Sequence, residues 1–160
     1  TLSVKSKQGK GSTFTLIVPI TDEKKSTNQV SKQDNLSENL RFVVIDDNAI
    51  NNLFVKQALQ NFKNVQIFQD SQQAIDHLQS HASDIVITDL RMKGHSGWDI
   101  LNTVKENNAV QGLNSKVIAL TSDVSLATTQ APNGQEHHFD GVMVKPFNLS
   151  TLVQILATMS

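Results

Sequence analysis

Five short apolar runs, each followed by apolar residues at helical spacing, constrain this chain more than any other feature. Phe42–Ile45 precedes Ile50, Leu53, Phe54, Ala58 and Phe62; Val65–Phe68 precedes Ala74, Ile75 and Leu78; the run ending Ile85–Thr88 precedes Ile100, Leu101 and Val104. Val117–Leu120 and Val142–Val144 are the fourth and fifth runs, and Leu149, Leu152, Val153 and Leu156 close the pattern on an inward-facing last helix. Runs of strand length that are apolar throughout belong to strands covered on both faces. The pattern therefore predicts an α/β unit built on a parallel sheet wound on both sides, in which function collects at the carboxyl ends of the strands.

Length and charge set the frame around that unit. The chain has 160 residues, enough for one ordinary domain and an appendage. Its 14 basic and 15 acidic residues give a net charge of −1, so it has no electrostatic reason to bind nucleic acid or an anionic membrane surface. It has no cysteine, which excludes disulfides, thiolate metal sites and a cysteine nucleophile. No apolar run approaches the roughly 20 residues of a membrane span. The chain begins Thr1-Leu2-Ser3 with no signal region, as expected of a piece of a longer protein.

The charge is unevenly spread. Residues 1–39 hold six lysines against four acids (+2), and residues 40–160 hold eight basic residues against eleven acids (−3). Between Thr21 and Glu38 the sequence is polar and aperiodic, with only Val30 and Leu36 to bury, and reads as a linker over 21–39. Before it, Leu2–Val4 and Thr13–Val18 read as two strands joined across Lys7–Gly11, a glycine-punctuated turn. Two strands alone are marginal in water, so this segment needs a partner.

The residue after each apolar run carries the chemistry. The first ends in Asp46-Asp47, the third in Asp89, the fourth in Thr121-Ser122 and the fifth in Lys145-Pro146, whereas Gln69-Asp70 after the second reads as an ordinary turn. A parallel sheet would bring three carboxylates, a hydroxyl and an ammonium to one rim. Gathering three carboxylates costs Coulomb energy unless a cation is present, and so few protein oxygens favour Mg²⁺ over Ca²⁺. A bound Mg²⁺ in turn favours a phosphoryl group, with Lys145 and Thr121 on its other oxygens. Acids at strand ends also cap helices, but a cap does not explain the set together.

These residues are similar to a known family. Asp46-Asp47-Asn48, the stretch from Asp84 through Asp89 and Arg91 to Gly97, Thr121, and Val144-Lys145-Pro146-Phe147 resemble the receiver domain of two-component response regulators over residues 40–160. The resemblance implies a flavodoxin-like doubly wound (βα)5 fold. It implies that Asp89 is the phosphoacceptor, attacking a phosphohistidine to form an acyl phosphate. Asp47, Asp89 and the backbone carbonyl of Arg91 would ligate Mg²⁺, with Asp46 acting through a water, and Thr121 and Lys145 would hold phosphoryl oxygens. Lys145-Pro146 resembles the family's cis peptide.

Residues 1–20 look like the last strands of a histidine-kinase ATP-binding domain, with a glycine-rich turn before a final strand ending in Pro19. Tail, linker and receiver follow the order of hybrid sensor histidine kinases, and Asp46–Asn51 looks like receivers of that type. The resemblance implies a bacterial phosphorelay on the cytoplasmic side, in a parent kinase anchored in the inner membrane, with this piece lacking the kinase catalytic core. Its partners would be a histidine kinase core or a histidine phosphotransfer domain docking near Asn51, Leu53, Phe54 and Val55.

Three departures from the family pattern bear on signalling. Val142 replaces the usual Phe or Tyr three residues before the strand-five lysine, so a ring-rotation readout is absent. Lys93 replaces the usual Pro after Asp89, which with Gly94 predicts a looser loop. A helix expected within Asp123–His138 is interrupted by Pro132-Asn133-Gly134 and should be short or mobile. Together they suggest a receiver that passes its phosphoryl group on rather than driving an attached effector. Arg91 and Asp123 are expected to flank the water path to the acyl phosphate and to shield it as an ion pair.

Other readings stand beside this one. A receiver-like module that regulates by binding alone fits Val142 and Lys93 but leaves the complete pocket unexplained. A flavodoxin-like nucleotide or flavin enzyme would need a phosphate-binding loop after the first strand, where Asp46-Asp47 stand instead. The five histidines read as solvated surface, and Trp98 as cover for the core edge.

Overall fold

The computed structural model describes residues 2–7, 11–16, 37–125 and 138–158. The chain forms two compact units, Thr1–Lys32 and Gln33–Ser160. In the first, β1 (Leu2–Lys7) and β2 (Gly11–Leu16) pair antiparallel, from Leu2 opposite Leu16 to Lys7 opposite Gly11. Gly11 adopts φ 93°, a left-handed conformation that glycine reaches without a Cβ penalty. The second strand starts at Gly11 rather than Thr13, and most of the predicted linker lies outside the described residues.

The second unit is one five-stranded sheet, all parallel, in the order β4-β3-β5-β6-β7. Its strands are β3 (Arg41–Ile45), β4 (Asn64–Phe68), β5 (Ile85–Asp89), β6 (Lys116–Thr121) and β7 (Gly141–Val144). Among the described residues its helices of full length are α1 (Ala49–Ala58), α2 (Ser71–Ser80), α3 (Gly97–Gln111) and α4 (Leu149–Ala157). This is the predicted doubly wound architecture.

Strand period two sorts the core into two layers. Val43, Ile45, Val86 and Val117 pack against Ala74 and Leu78 of α2 and Ile100, Leu101 and Val104 of α3. Phe42, Val44, Ile85, Ile87, Ile118 and Leu120 pack on the other face against Val55 of α1, Leu59, and Leu152 and Leu156 of α4. Each helix starts on a side-chain cap: Asn48, Asp70, Ser96 and Asn148 accept from backbone N–H groups of the first turn. Asp70 is thus the turn residue the sequence suggests, and its carboxylate takes the N–H groups of both Gln72 and Gln73.

Helix α1 is rotated so that apolar residues face outward, Leu53 and Phe54 of the expected docking face among them. Ile50 and Leu53 are each 65% exposed and Phe54 is 52% exposed, while Asn52 and Val55 face inward. Two interactions fix that rotation: the Asn52 amide donates to the Asp46 carbonyl at 2.7 Å, and Val55 is fully buried in the layer around Phe42 and Val44. Val55 therefore cannot belong to a docking surface, because it has no surface to offer. Helix α1 also ends at Ala58, so Phe62 lies beyond it, in a turn where its ring meets Phe42 edge-on at 4.8 Å.

The loop after Asp89 is tethered rather than loose. Ser71 Oγ donates to the Lys93 carbonyl and accepts the His95 N–H, and the Lys93 N–H donates to Asp47. Of the helix predicted within Asp123–His138, residues 124–125 are helical and residues 126–137 lie outside the described residues. Val142 and Phe139 are partly buried against Leu90 and Ala119.

Candidate functional site

Because every strand of the sheet runs the same way, the carboxyl ends of β3, β5, β6 and β7 share one edge. Asp46 and Asp47 follow β3, Asp89 closes β5, Thr121 closes β6, and Lys145 follows β7. One carboxylate oxygen from each of Asp46, Asp47 and Asp89 lies within 4.8 Å of the other two.

Asp46 is fully buried, and its carboxylate accepts three hydrogen bonds. Its Oδ1 accepts the Asn48 N–H at 2.9 Å, and its Oδ2 accepts the Asn51 amide at 2.9 Å and the Lys145 ammonium at 2.8 Å. Its backbone N–H donates to the Phe68 carbonyl. An unpaired buried carboxylate would be very costly, and these donors satisfy it.

Lys145 spans the cluster. The same Nζ donates to Asp89 Oδ2 at 2.6 Å, and the Lys145 N–H is held by the Thr121 carbonyl at 2.9 Å. Burial pushes the Lys145 ammonium towards deprotonation, yet the hydrogen bonds and charges of Asp46 and Asp89 together outweigh it and raise its pKa above the ordinary lysine value. The Lys145–Pro146 peptide is cis.

Asp89 Oδ1 accepts the Arg91 N–H at 3.2 Å. Asp47 is exposed, and its Oδ2 accepts the Lys93 N–H at 3.3 Å. Gly97 lies against this strand end: a Cβ there would stand 2.5 Å from the Asp89 carbonyl oxygen, so only glycine lets α3 begin so close to β5.

Asp123 sits differently from the sequence expectation, and the Thr121 hydroxyl is engaged with the same turn. The Thr121 hydroxyl donates to the Asp123 carbonyl at 3.2 Å and accepts the Asp123 N–H at 3.1 Å, and none of the described hydrogen bonds joins it to Asp89 or Lys145. Asp123 spends its carboxylate on Ser125 rather than in a direct ion pair with Arg91. It accepts the Ser125 hydroxyl at 2.6 Å and N–H at 3.0 Å. Those bonds, with a smaller pull from the Arg91 charge, lower the Asp123 pKa.

The sequence also hid partners. Asn51 orients the buried Asp46, and Asn52 donates to the Asp46 carbonyl while its own Oδ1 is buried without a partner. An amide-rich first turn directly after a strand-end acid was the available signal for both.

Three carboxylates against one ammonium leave an excess of two negative charges at the strand ends. That donor set suits a hard divalent cation with oxygen ligands.

A family model for the response regulator receiver domain matches residues 42–157. The chain belongs to that family. A stretch of 134 residues is 27% identical to the autoinducer 2 sensor kinase/phosphatase LuxQ of Vibrio vulnificus, covering 81% of this chain and 15% of that protein. The chain thus spans a small fraction of this sensor kinase/phosphatase relative. Over 123 residues it is 28% identical to the chemotaxis protein CheY-3 of Vibrio cholerae, covering 76% of this chain and 92% of CheY-3. Among solved structures, the response regulator CheY4 of Vibrio cholerae superposes with a TM-score of 0.60 at 21% identity, over 76% of this chain and 99% of CheY4. That likeness supports the fold, a CheY-like five-stranded receiver. Receiver domains typically bind Mg²⁺, and Asp46, Asp47 and Asp89 form the acidic cluster that can hold it.

Proposed function

We propose that this chain is the phosphoacceptor receiver of a phosphorelay, taking a phosphoryl group from phosphohistidine onto Asp89. The observation that carries the reading is the Lys145 ammonium held between Asp89 and the buried Asp46, beside the exposed Asp47. In the transfer, an Asp89 carboxylate oxygen forms the new O–P bond as the P–N bond to the donor imidazole breaks, and the imidazole, already protonated on its other ring nitrogen, leaves as the neutral base with the P–N electron pair. Lys145 stays protonated and faces the developing phosphoryl charge. Asp46, Asp47, Asp89 and the Arg91 carbonyl would hold Mg²⁺. When bound, the ion supplies positive charge against the phosphoryl oxygens. Thr121 reaches a phosphoryl oxygen by exchanging its hydroxyl bond to the Asp123 carbonyl for one to the phosphoryl group.

The donor side docks on α1. Asn51 donates to Asp46 in the cluster, and Leu53 and Phe54 on the same helix are exposed apolar side chains that a partner could cover. The donor is a histidine kinase core or a phosphotransfer domain, and residues 1–20 are the end of that kinase's ATP-binding domain, joined by the 21–39 linker. The parent is then a hybrid sensor kinase in the inner membrane with this part on its cytoplasmic side. Among the described residues no helix is long and apolar enough to cross a membrane.

Beryllofluoride with Mg²⁺, which mimics the phosphoryl group, tests the reading. Amide resonances around Asp47, Asp89, Thr121 and Lys145 should shift in the native chain and stay in place in Asp89→Asn. A native spectrum that does not respond would support instead a module that binds its partner without phosphorylation.

A further inference from the structure

The loop between β5 and α3 is held by a residue outside the strand-end cluster. Ser71, the first residue of α2, is buried, with its hydroxyl turned into that loop. Its Oγ donates to the Lys93 carbonyl at 3.0 Å and accepts the His95 N–H at 2.9 Å. The two bonds bracket Gly94, which has φ +83° and whose Cβ, if it had one, would stand 3.0 Å from the same Oγ. The loop is therefore folded tightly around one hydroxyl. A second tie comes from the same turn of α2, where the His95 ring Nε2 and Gln72 Oε1 are 2.8 Å apart.

Lys93 is gripped from both sides. Its carbonyl is taken by Ser71, and its N–H points at Asp47 Oδ2, 3.3 Å away. Asp47 is the exposed member of the acidic trio, and among the described residues the Lys93 N–H is the hydrogen bond that holds its carboxylate. A proline at position 93, which the family resemblance leads one to expect, has no N–H and could not make this bond. In this chain the departure supplies a donor, and Ser71 fixes where that donor points.

We propose that Ser71 is a positioning residue for the cation site, holding the β5–α3 loop so that the Lys93 N–H keeps Asp47 aimed into the cluster. The proposal rests on the Mg²⁺ reading above. A carboxylate already oriented loses less freedom on binding an ion than one that must be ordered at that moment.

The test is Mg²⁺ titration of the full chain by calorimetry, alongside amide hydrogen exchange of the cation-free protein. Ser71→Ala should weaken Mg²⁺ binding by about tenfold, the scale seen when a residue supporting a metal ligand is removed, and should speed exchange at His95. Ser71→Thr keeps the hydroxyl and should bind within about twofold of the native chain. Lys93→Pro removes the N–H and keeps the carbonyl, so it should lose Mg²⁺ affinity while His95 stays protected. Lys105→Met, which breaks an ion pair with Asp140 away from the cluster, should lower stability and leave Mg²⁺ affinity unchanged.

The proposal is overturned if Ser71→Ala or Lys93→Pro binds Mg²⁺ as the native chain does, or if Ser71→Thr is as weak as Ser71→Ala. A native chain that takes up no Mg²⁺ overturns the cation reading itself. In that case, unchanged His95 exchange in Ser71→Ala separately overturns the clasp.

Discussion

Replacing Lys145 with methionine isolates the contact on which the site depends. Methionine keeps much of the side-chain volume and removes the ammonium that stands 2.8 Å from Asp46 Oδ2 and 2.6 Å from Asp89 Oδ2. The carboxylates left facing each other have oxygens within 4.8 Å. At an effective dielectric constant of about 20, that separation corresponds to about 3–4 kcal/mol of repulsion for each unit pair. Removing one partner of a buried ion pair costs a similar amount, about 3–5 kcal/mol, and Asp46 is fully buried. The variant should therefore unfold in urea at neutral pH, without divalent cation, with about 3–4 kcal/mol less stability than the native chain. Adding Mg²⁺ should narrow the gap, because the ion restores positive charge to the same oxygens. Neutralising the buried acid as well, in Lys145→Met with Asp46→Asn, should cost less than the sum of the single changes. A loss below about 1 kcal/mol, or single-variant costs that simply add, would refute the view that Lys145 makes this acidic cluster tolerable.

Gly97→Ala places a Cβ 2.5 Å from the Asp89 carbonyl oxygen and should destabilise by about 3 kcal/mol in urea denaturation, weakening Mg²⁺ binding as the strand end shifts. Leu53→Ser with Phe54→Ser should leave stability within about 0.5 kcal/mol, since both side chains are exposed, yet slow phosphoryl transfer from a histidine donor; Val55→Ala should cost about 2 kcal/mol and act on folding instead. Hydrogen bonds from Arg41 hold the Asp84 pKa below its ordinary value, so the pair stabilises the fold above that value and the contribution fades as pH falls towards the folded pKa. Arg41→Met should remove that acid-range dependence, at a cost of about 1 kcal/mol or less because both groups are partly exposed. The Lys145 pKa is raised, so its contribution is complete below the ordinary lysine value and disappears as pH climbs through the higher folded one, which alkaline denaturation of Lys145→Met against the native chain should show.

The strand-end residues were legible because their placement follows from topology. Once five apolar runs are read as parallel strands, Asp46, Asp47, Asp89, Thr121 and Lys145 have to meet at one edge, whatever the side chains do in detail. In α1 only Val55 was misplaced, because the apolar residues of this helix do not mark its buried face. Asn52 takes an inward position to satisfy the Asp46 carbonyl, and Ile50, Leu53 and Phe54 are left outside. A hydrophobic count cannot see a polar residue buried for a hydrogen bond. The clasp of Ser71 on Lys93 and His95 joins residues more than twenty positions apart, and neither serine nor glycine at those places carries a local signal for it. The loop read as loose is thus fixed by a long-range contact. Thr121 was placed correctly on the rim, but its hydroxyl is turned into the backbone of the following turn, a local competition that residue order does not reveal.

Asp89 is the proposed phosphoryl acceptor. Mixing the chain and Mg²⁺ with a histidine phosphotransfer protein carrying labelled phosphohistidine, then following the label by gel and intact mass, tests it directly. The donor should lose its label rapidly and this chain should gain it as an acyl phosphate, absent in Asp89→Ala and strongly reduced when Mg²⁺ is chelated. No label on the native chain from any histidine donor or small phosphodonor, or equal label on Asp89→Ala, would contradict it.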